Sequence, residues 1–129
     1  MIDSGVWIAY LYDKDENNMR AKQILSTFLS EKQRHMTDYG VLEVTNFLMR
    51  KSGFNAAKEA LELLTSSKKM QIIYNDEPSF KATREIFLKY LGLSFTDANM
   101  AMHMKQLELN EILSFDAGFD KVKEIKRIH

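Results

Sequence analysis

The chain has 129 residues, 45% hydrophobic and 28% charged, which is the make-up of one folded domain and excludes an extended disordered chain. Eighteen basic side chains balance eighteen acidic ones, so overall charge gives no argument for nucleic acid, although local patches can hide in a neutral sum. The absence of cysteine excludes a disulfide framework and any thiolate metal site, and it fits a reducing compartment.

Met1 and Ile2 read as the stub of a strand, and Ser4 to Tyr12 as a short helix. The apolar run Val6 to Tyr12 is too short to cross a membrane and has Asp3 ahead of it where a leader would carry lysines, so a soluble, cytoplasmic protein is expected. "ENNMRAKQILSTFLSEK" then spaces Met19, Ile24, Leu25, Phe28 and Leu29 as one helix face, with Asn17 or Asn18 as its cap. After His35 and Met36, "TDYGVLEVTNFLMRKSG" is a helix capped by Thr37 or Asp38 and stopped at Gly53. "NAAKEALELLTSS" is the next, capped by Asn55, with Ala57, Ala60, Leu61 and Leu64 turned inward.

"MQIIYN" is the best internal strand. "EPSFKATREIFLKYLG" is helical, with Pro78 in its first turn and Gly92 past its end, and "SFTDANMAMHMKQLEL" is a helix capped by Ser94 or Thr96. "EILSF" is a short strand, "AGFDKVKEI" a turn with a helical fragment, and "KRIH" a last edge strand. Strands separated by helices require crossovers, so the expected fold is α/β: a single domain, 1–129, with a small parallel sheet and helices on both faces.

In such sheets, sites form outside the carboxyl ends of the strands. Asp3 follows the first strand stub and Asp116 follows "EILSF"; each could equally be a turn or cap residue. Glu43 lies among Val41, Leu42, Val44 and Phe47, where it is either a carboxylate needing a cation or part of a solvent stripe or cap. Asp97, in a helical first turn, suits the helix dipole as well as a site, while Met100, Met102 and Met104 read as core or interface. If Asp3, Glu43, Asp97 and Asp116 meet at one sheet edge, with Asp120 a turn further on, their repulsion calls for shared protons or a divalent ion. Oxygen-only ligands select hard ions, Mg²⁺ or Mn²⁺, and Ser4 and Thr96 could hold water on them.

"DSGVWIAYL", "LEVTNFL", "SFTDANMAM" and "LSFDAGFDKV" resemble, in order and spacing, the four acidic motifs of PIN-domain nucleases, most closely the VapC-like toxins, across essentially the whole chain. The resemblance implies a PIN-like fold and a metal-dependent endoribonuclease that cuts RNA by in-line attack of water, leaving a 5′-phosphate. It implies Asp3, Glu43, Asp97 and Asp116 as metal ligands and catalytic acids, Asp120 as an auxiliary acid, Ser4 and Thr96 as the accompanying hydroxyls, and Mg²⁺ or Mn²⁺ as cofactor. It also implies a homodimer and an antitoxin partner that lays an apolar helix in a groove. The family usually carries more apolar residues before the first aspartate, so either the first strand is clipped or the native start lies upstream of Met1.

Two other readings stand beside it: a non-catalytic domain that binds RNA or protein, and a deoxyribonuclease or flap nuclease. The full acid set argues against the first, and the lack of large insertions against the second. Arg50, Lys51, Lys68, Lys69 and Arg84 are candidate RNA contacts or simply solvated charges. Trp7, Phe95 and Phe119 flank the acids and either stack a base or pack the core. His35, His103 and His129 show no ligand spacing, and no G-x-S-x-G elbow or P-loop occurs.

Overall fold

A computed structural model describes residues 1–31 and 33–129, and the side chains of these apart from 29–31. The predicted reach of the second helix to Lys32 and the inward placing of Leu29 lie outside the described residues.

Four strands, β1 (Arg34–Thr37), β2 (Met70–Ile73), β3 (Glu111–Leu113) and β4 (Lys126–Ile128), form two parallel ladders, β1 with β2 and β3 with β4. The Met1–Asp3 stub joins them. Ile2 bridges parallel to Leu113, the Leu113 N–H donates to the Met1 carbonyl and the Asp3 N–H to the Leu113 carbonyl, both at 3.0 Å. On its other side the Ile2 N–H donates to the His35 carbonyl at 2.9 Å. So Asp3 leaves the middle of the strand array, flanked by both ladders. β1 is a strand that the sequence pattern did not announce: "RHMT" has no β-branched run and only its ladder with β2 defines it.

The helices are α1 (Ser4–Leu11), α2 (Asn18–Glu31), α3 (Asp38–Ser52), α4 (Phe54–Ser66), α5 (Glu77–Lys89) and α6 (Phe95–Gln106), with a 3₁₀ turn over Ala117–Lys121. Thr37 caps α3, its hydroxyl accepting from the Gly40 N–H, and Gly53 ends it at φ 90°, in the left-handed region that favours glycine. Asn55 does not cap α4; the helix starts at Phe54 directly behind Gly53, and Leu61 is exposed beside buried Ala57, Ala60 and Leu64. Met19 likewise faces solvent rather than the core. Asn18 is the first residue of α2, and its side chain serves the preceding helix instead: Nδ2 donates to the carbonyls of Ala9 at 2.7 Å and Tyr10 at 3.2 Å, groups in the last turn of α1 that lack a partner within the helix.

Alternation along the strands feeds two cores, as a period of two requires. Ile2, Met36 and Leu113 pack with Val6, Trp7, Leu25, Val44, Leu48, Ala57 and Leu64 from α1 to α4, while Met1 and Ile112 pack with Met100, Met104 and Phe119. Helices therefore flank parallel strands on both faces, as the pattern predicted. Every residue of α6 from Asp97 to Met104 is buried, so the methionines are core and Asp97 is carried inside by its helix. Among the described residues no helix is long and apolar enough to cross a membrane.

Candidate active site

Asp3 sits where the stub ends and α1 begins, with 5% of its surface exposed. Ser114, just past β3, donates its hydroxyl to Asp3 Oδ2 at 2.6 Å and accepts the Asp116 N–H at 3.0 Å. One buried hydroxyl thus ties the first acid to the backbone of the last.

Asp97 enters on α6. Ser94 and Asp97 form a capping box, the Asp97 N–H donating to Ser94 Oγ and the Ser94 N–H to Asp97 Oδ2. Ser94 Oγ also lies 2.6 Å from Oδ2, so both contacts made to the carboxylate fall on one oxygen and Oδ1 carries no hydrogen bond from a described residue. Asp97 thus has the structural place in the first helical turn that was weighed for it, now as half of a capping box, and one carboxylate oxygen is left available.

Glu43 is held by two hydroxyls, Ser4 Oγ to Oε2 and Thr96 Oγ1 to Oε1, each at 2.6 Å. Ser4 Oγ also lies 3.2 Å from Asp3 Oδ1, but a hydroxyl has one proton and the shorter contact takes it. The hydroxyls expected to hold water thus bind Glu43, linking α1, α3 and α6. Behind them, Asn99 Nδ2 of α6 donates to Asn75 Oδ1 at 2.6 Å and to Thr83 Oγ1 at 2.9 Å, while the Asn75 N–H donates to Asp38 Oδ2 at 3.0 Å. His103 Nε2 lies 2.9 Å from the same Asn75 oxygen. This buried network fixes α6, which carries Asp97, against the start of α3, which carries Glu43.

Asp116 is exposed at the head of the 3₁₀ turn, and its Oδ1 accepts the Gly118 N–H at 2.7 Å. A Cβ on Gly118 would lie 3.1 Å from that oxygen and 3.4 Å from the Gly92 carbonyl, which explains a glycine between two aspartates. Asp120 goes elsewhere: Arg127 Nε and Nη2 grip it in a bidentate pair at 2.8 Å, which lowers its pKa. It does not border the pocket formed by the other acids.

That pocket, about 420 Å³, is lined by Asp3, Ser4, Gly5, Asp15, Asn17, Ser94, Asp97, Phe115 and Asp116. Glu43 faces an adjoining hollow with Ile8, Leu42, Asn46, Phe47 and Arg50. Burial pushes the Asp3 carboxyl up to about 6; the Ser114 hydrogen bond opposes this and the Asp97 charge adds to it. Asp97 is raised too, by burial first, against its Ser94 hydrogen bonds and with repulsion from Asp116 and Glu43. The carboxyls border one space without meeting: among the described residues no three acidic or histidine side chains are grouped closely enough to hold an ion without adjustment. The chemistry of the donors still fits a hard divalent cation, because all are oxygens, two are buried, and their ionised forms repel each other.

Sequence reasoning missed Ser114, Asp15, Asn17, Ser94 as a carboxylate partner, and Phe115. The signal for Ser114 was present, a hydroxyl two residues before an acid at a strand end. The aromatic residues singled out do not line this pocket: Trp7 and Phe119 are buried, and Phe95 packs among Tyr39, Phe80 and Phe87.

A PIN-domain family model matches residues 1–125. Ribonuclease VapC13 of Mycobacterium tuberculosis and a VapC ribonuclease of Mycobacterium bovis are each 24% identical over 129 residues, 99% of this chain and 98% of theirs. The crystal structure of Mycobacterium tuberculosis VapC20, a sarcin–ricin-loop-cleaving toxin, superposes with a TM-score of 0.84 at 18% identity, covering 94% of this chain and 92% of that one.

Proposed function

We propose, from the premise that the chain belongs to the PIN-domain family, that it is a metal-dependent endoribonuclease and the toxin of a toxin–antitoxin pair. The observation that carries this reading is the pocket bordered by Asp3, Asp97 and Asp116, with Glu43 tied to its lining through Ser4. The two VapC ribonucleases that align along the whole chain support the same chemistry.

Asp3, Asp97 and Asp116 would hold Mg²⁺ or Mn²⁺, with Glu43 close enough for its charge to act on Asp97. A divalent ion there supplies positive charge for the scissile phosphate and for the water that attacks it. Ser114 and Ser94 keep the Asp3 and Asp97 carboxylates aimed, and Thr96 fixes Glu43. Asp120, engaged by Arg127, supports the turn that presents Asp116 rather than joining the ligands.

Two surfaces suit the partners. Phe80, Phe87 and Leu88 on α5, with Leu91 in the turn after it, form an exposed stripe continuous with Phe95 and Tyr39, and a second copy of the chain would cover it in a homodimer. A hollow of about 390 Å³ between α1, α2 and α4 is lined by Trp7, Tyr10, Leu25 and Leu63, and the buried Trp7 Nε1 has no acceptor among the described residues. An antitoxin's apolar helix would sit there.

The test is cleavage of RNA by purified protein in Mn²⁺, beside an EDTA control and Asp97→Asn. Cleavage that EDTA and Asp97→Asn both abolish is the expected result. Cleavage that neither affects would overturn the assignment, and wild-type protein that never cuts would leave the binding-domain reading in its place.

A further inference from the structure

Among the described residues Phe115 is the one aromatic that lines the acidic pocket, and it sits between Ser114, which holds Asp3, and Asp116. It is half-buried, one part packed against the main core and the rest open to the pocket. Arg20, exposed on α2, places its guanidinium 5.9 Å from the centre of the Phe115 ring. Among the described residues no carboxylate pairs with Arg20, so its charge is uncommitted. Asn17 lines the same wall, and its carboxamide makes no hydrogen bond to a described residue.

We infer that Phe115 and Arg20 form a stacking platform that seats the base of an unpaired nucleotide next to the scissile phosphate, and so determine which RNA the site accepts. This rests on the ribonuclease reading above. A ring beside two metal-facing acids can take a base face, whose stacking is tolerant of sequence and worth about tenfold or more in affinity. The free guanidinium can stack on the base or meet the neighbouring phosphate, since a planar cation does both. Asn17 offers a donor and an acceptor to the base edge. A base in a duplex has both faces covered by its neighbours, so the platform admits only a nucleotide already unstacked, in a loop, bulge or single strand.

The experiment measures binding of a fluorescein-labelled, unstructured oligoribonucleotide by anisotropy in Ca²⁺, and its cleavage in Mn²⁺, for wild type, Phe115→Leu and Arg20→Ala. Leucine keeps the core contact while removing the aromatic face. Phe115→Leu is expected to weaken binding and raise KM about tenfold, with kcat within about threefold of wild type. An abasic nucleotide beside the mapped cut should cost the wild type as much and the variant nothing further. Annealing the complement should abolish cleavage. Wild-type affinity and KM in Phe115→Leu, or abasic and leucine losses that multiply, would overturn the platform. If wild type binds in a Phe115-dependent way and never cuts, the ribonuclease reading falls and the platform stands.

Discussion

Ser114 and Asp3, 111 positions apart in the chain, share a buried 2.6 Å hydrogen bond, and through the same hydroxyl Asp3 is joined to the backbone N–H of Asp116. The bond is made possible by the stub pairing with β3, which sets the residue after Leu113 beside the residue after Ile2. Ser114→Ala removes the donor and strands both a buried carboxylate oxygen and the Asp116 N–H. We expect a stability loss of about 1–3 kcal/mol in urea unfolding and a weaker Mn²⁺ titration heat. Ser114→Thr should recover part of both. Wild-type unfolding and Mn²⁺ affinity in Ser114→Ala would show that the hydroxyl holds neither acid.

The raised Asp3 carboxyl gives a pH dependence of definite sign. Its pKa is about 6 in the folded chain against an ordinary value of 3.8, with burial as the main cause, so the folded state binds the proton more tightly than the unfolded. The stability this gives is fully present below about pH 4 and is lost as pH rises through about 6, for a total near 3 kcal/mol. Asp97 shifts the same way and adds to the trend. In EDTA, the wild-type thermal midpoint should therefore fall relative to that of Asp3→Asn by about 10 °C between about pH 4 and neutral pH, while the lowered Met1 amino group, His35 and His103 act alike in both proteins. Asp3→Asn should flatten the slope and raise the neutral midpoint. Saturating Mn²⁺ should restore the neutral midpoint too, since an ion binds the ionised form, while Mn²⁺ affinity drops as protons compete below about pH 6. A wild-type midpoint that does not fall with pH relative to that of Asp3→Asn in EDTA would mean that Asp3 is not the buried acid described here.

Much of this was legible because apolar spacing and caps act locally. Thr37, Gly53, Ser94 and Gly92 mark helix ends through their own backbone chemistry, and the order of the acids was readable from their places after strands. What was hidden depends on contacts between distant segments. β1 is a strand only because β2 and the stub lie beside it. Asn18 is a capping residue as expected, but for α1 rather than α2, a choice made by the turn between them. Asp120 was read with Asp116 because it lies four positions further along the chain; the 3₁₀ turn and the strand carrying Arg127 take it to another partner. Phe115 was overlooked beside three more conspicuous aromatics, since exposure at a pocket is a property of the folded surface.

The apolar stripe on α5 predicts association. Phe80, Phe87 and Leu88 recur at helical spacing on an exposed face, and Leu91, in the turn just past the helix, is 93% exposed. Phe87→Glu places a charge in the stripe and should weaken a homodimer by about 2 kcal/mol or more, roughly 30-fold in Kd. Light scattering after size exclusion is the measurement. A wild type that runs as a monomer at high concentration would remove the homodimer from the proposed function without touching the acidic pocket.

Glu43 offers the sharpest separation of a held acid from a free one. Its two oxygens each receive a hydroxyl at 2.6 Å, from Ser4 and Thr96, so its orientation is set by residues on two other helices. Thr96→Val keeps the branched shape but removes the donor to Oε1, and the carboxylate gains freedom to rotate. Thr96 is only half-buried, so fold stability should change by no more than about 1 kcal/mol. Function should suffer more, because the Glu43 charge acts on Asp97 and hydrogen bonds in the outer shell of a metal site typically matter by about 10- to 100-fold. Thr96→Ser keeps the donor and should retain most of the activity. If valine and serine at position 96 cut RNA equally well, Glu43 does not need its hydroxyl clamp, and its place among the catalytic acids loses its main structural support.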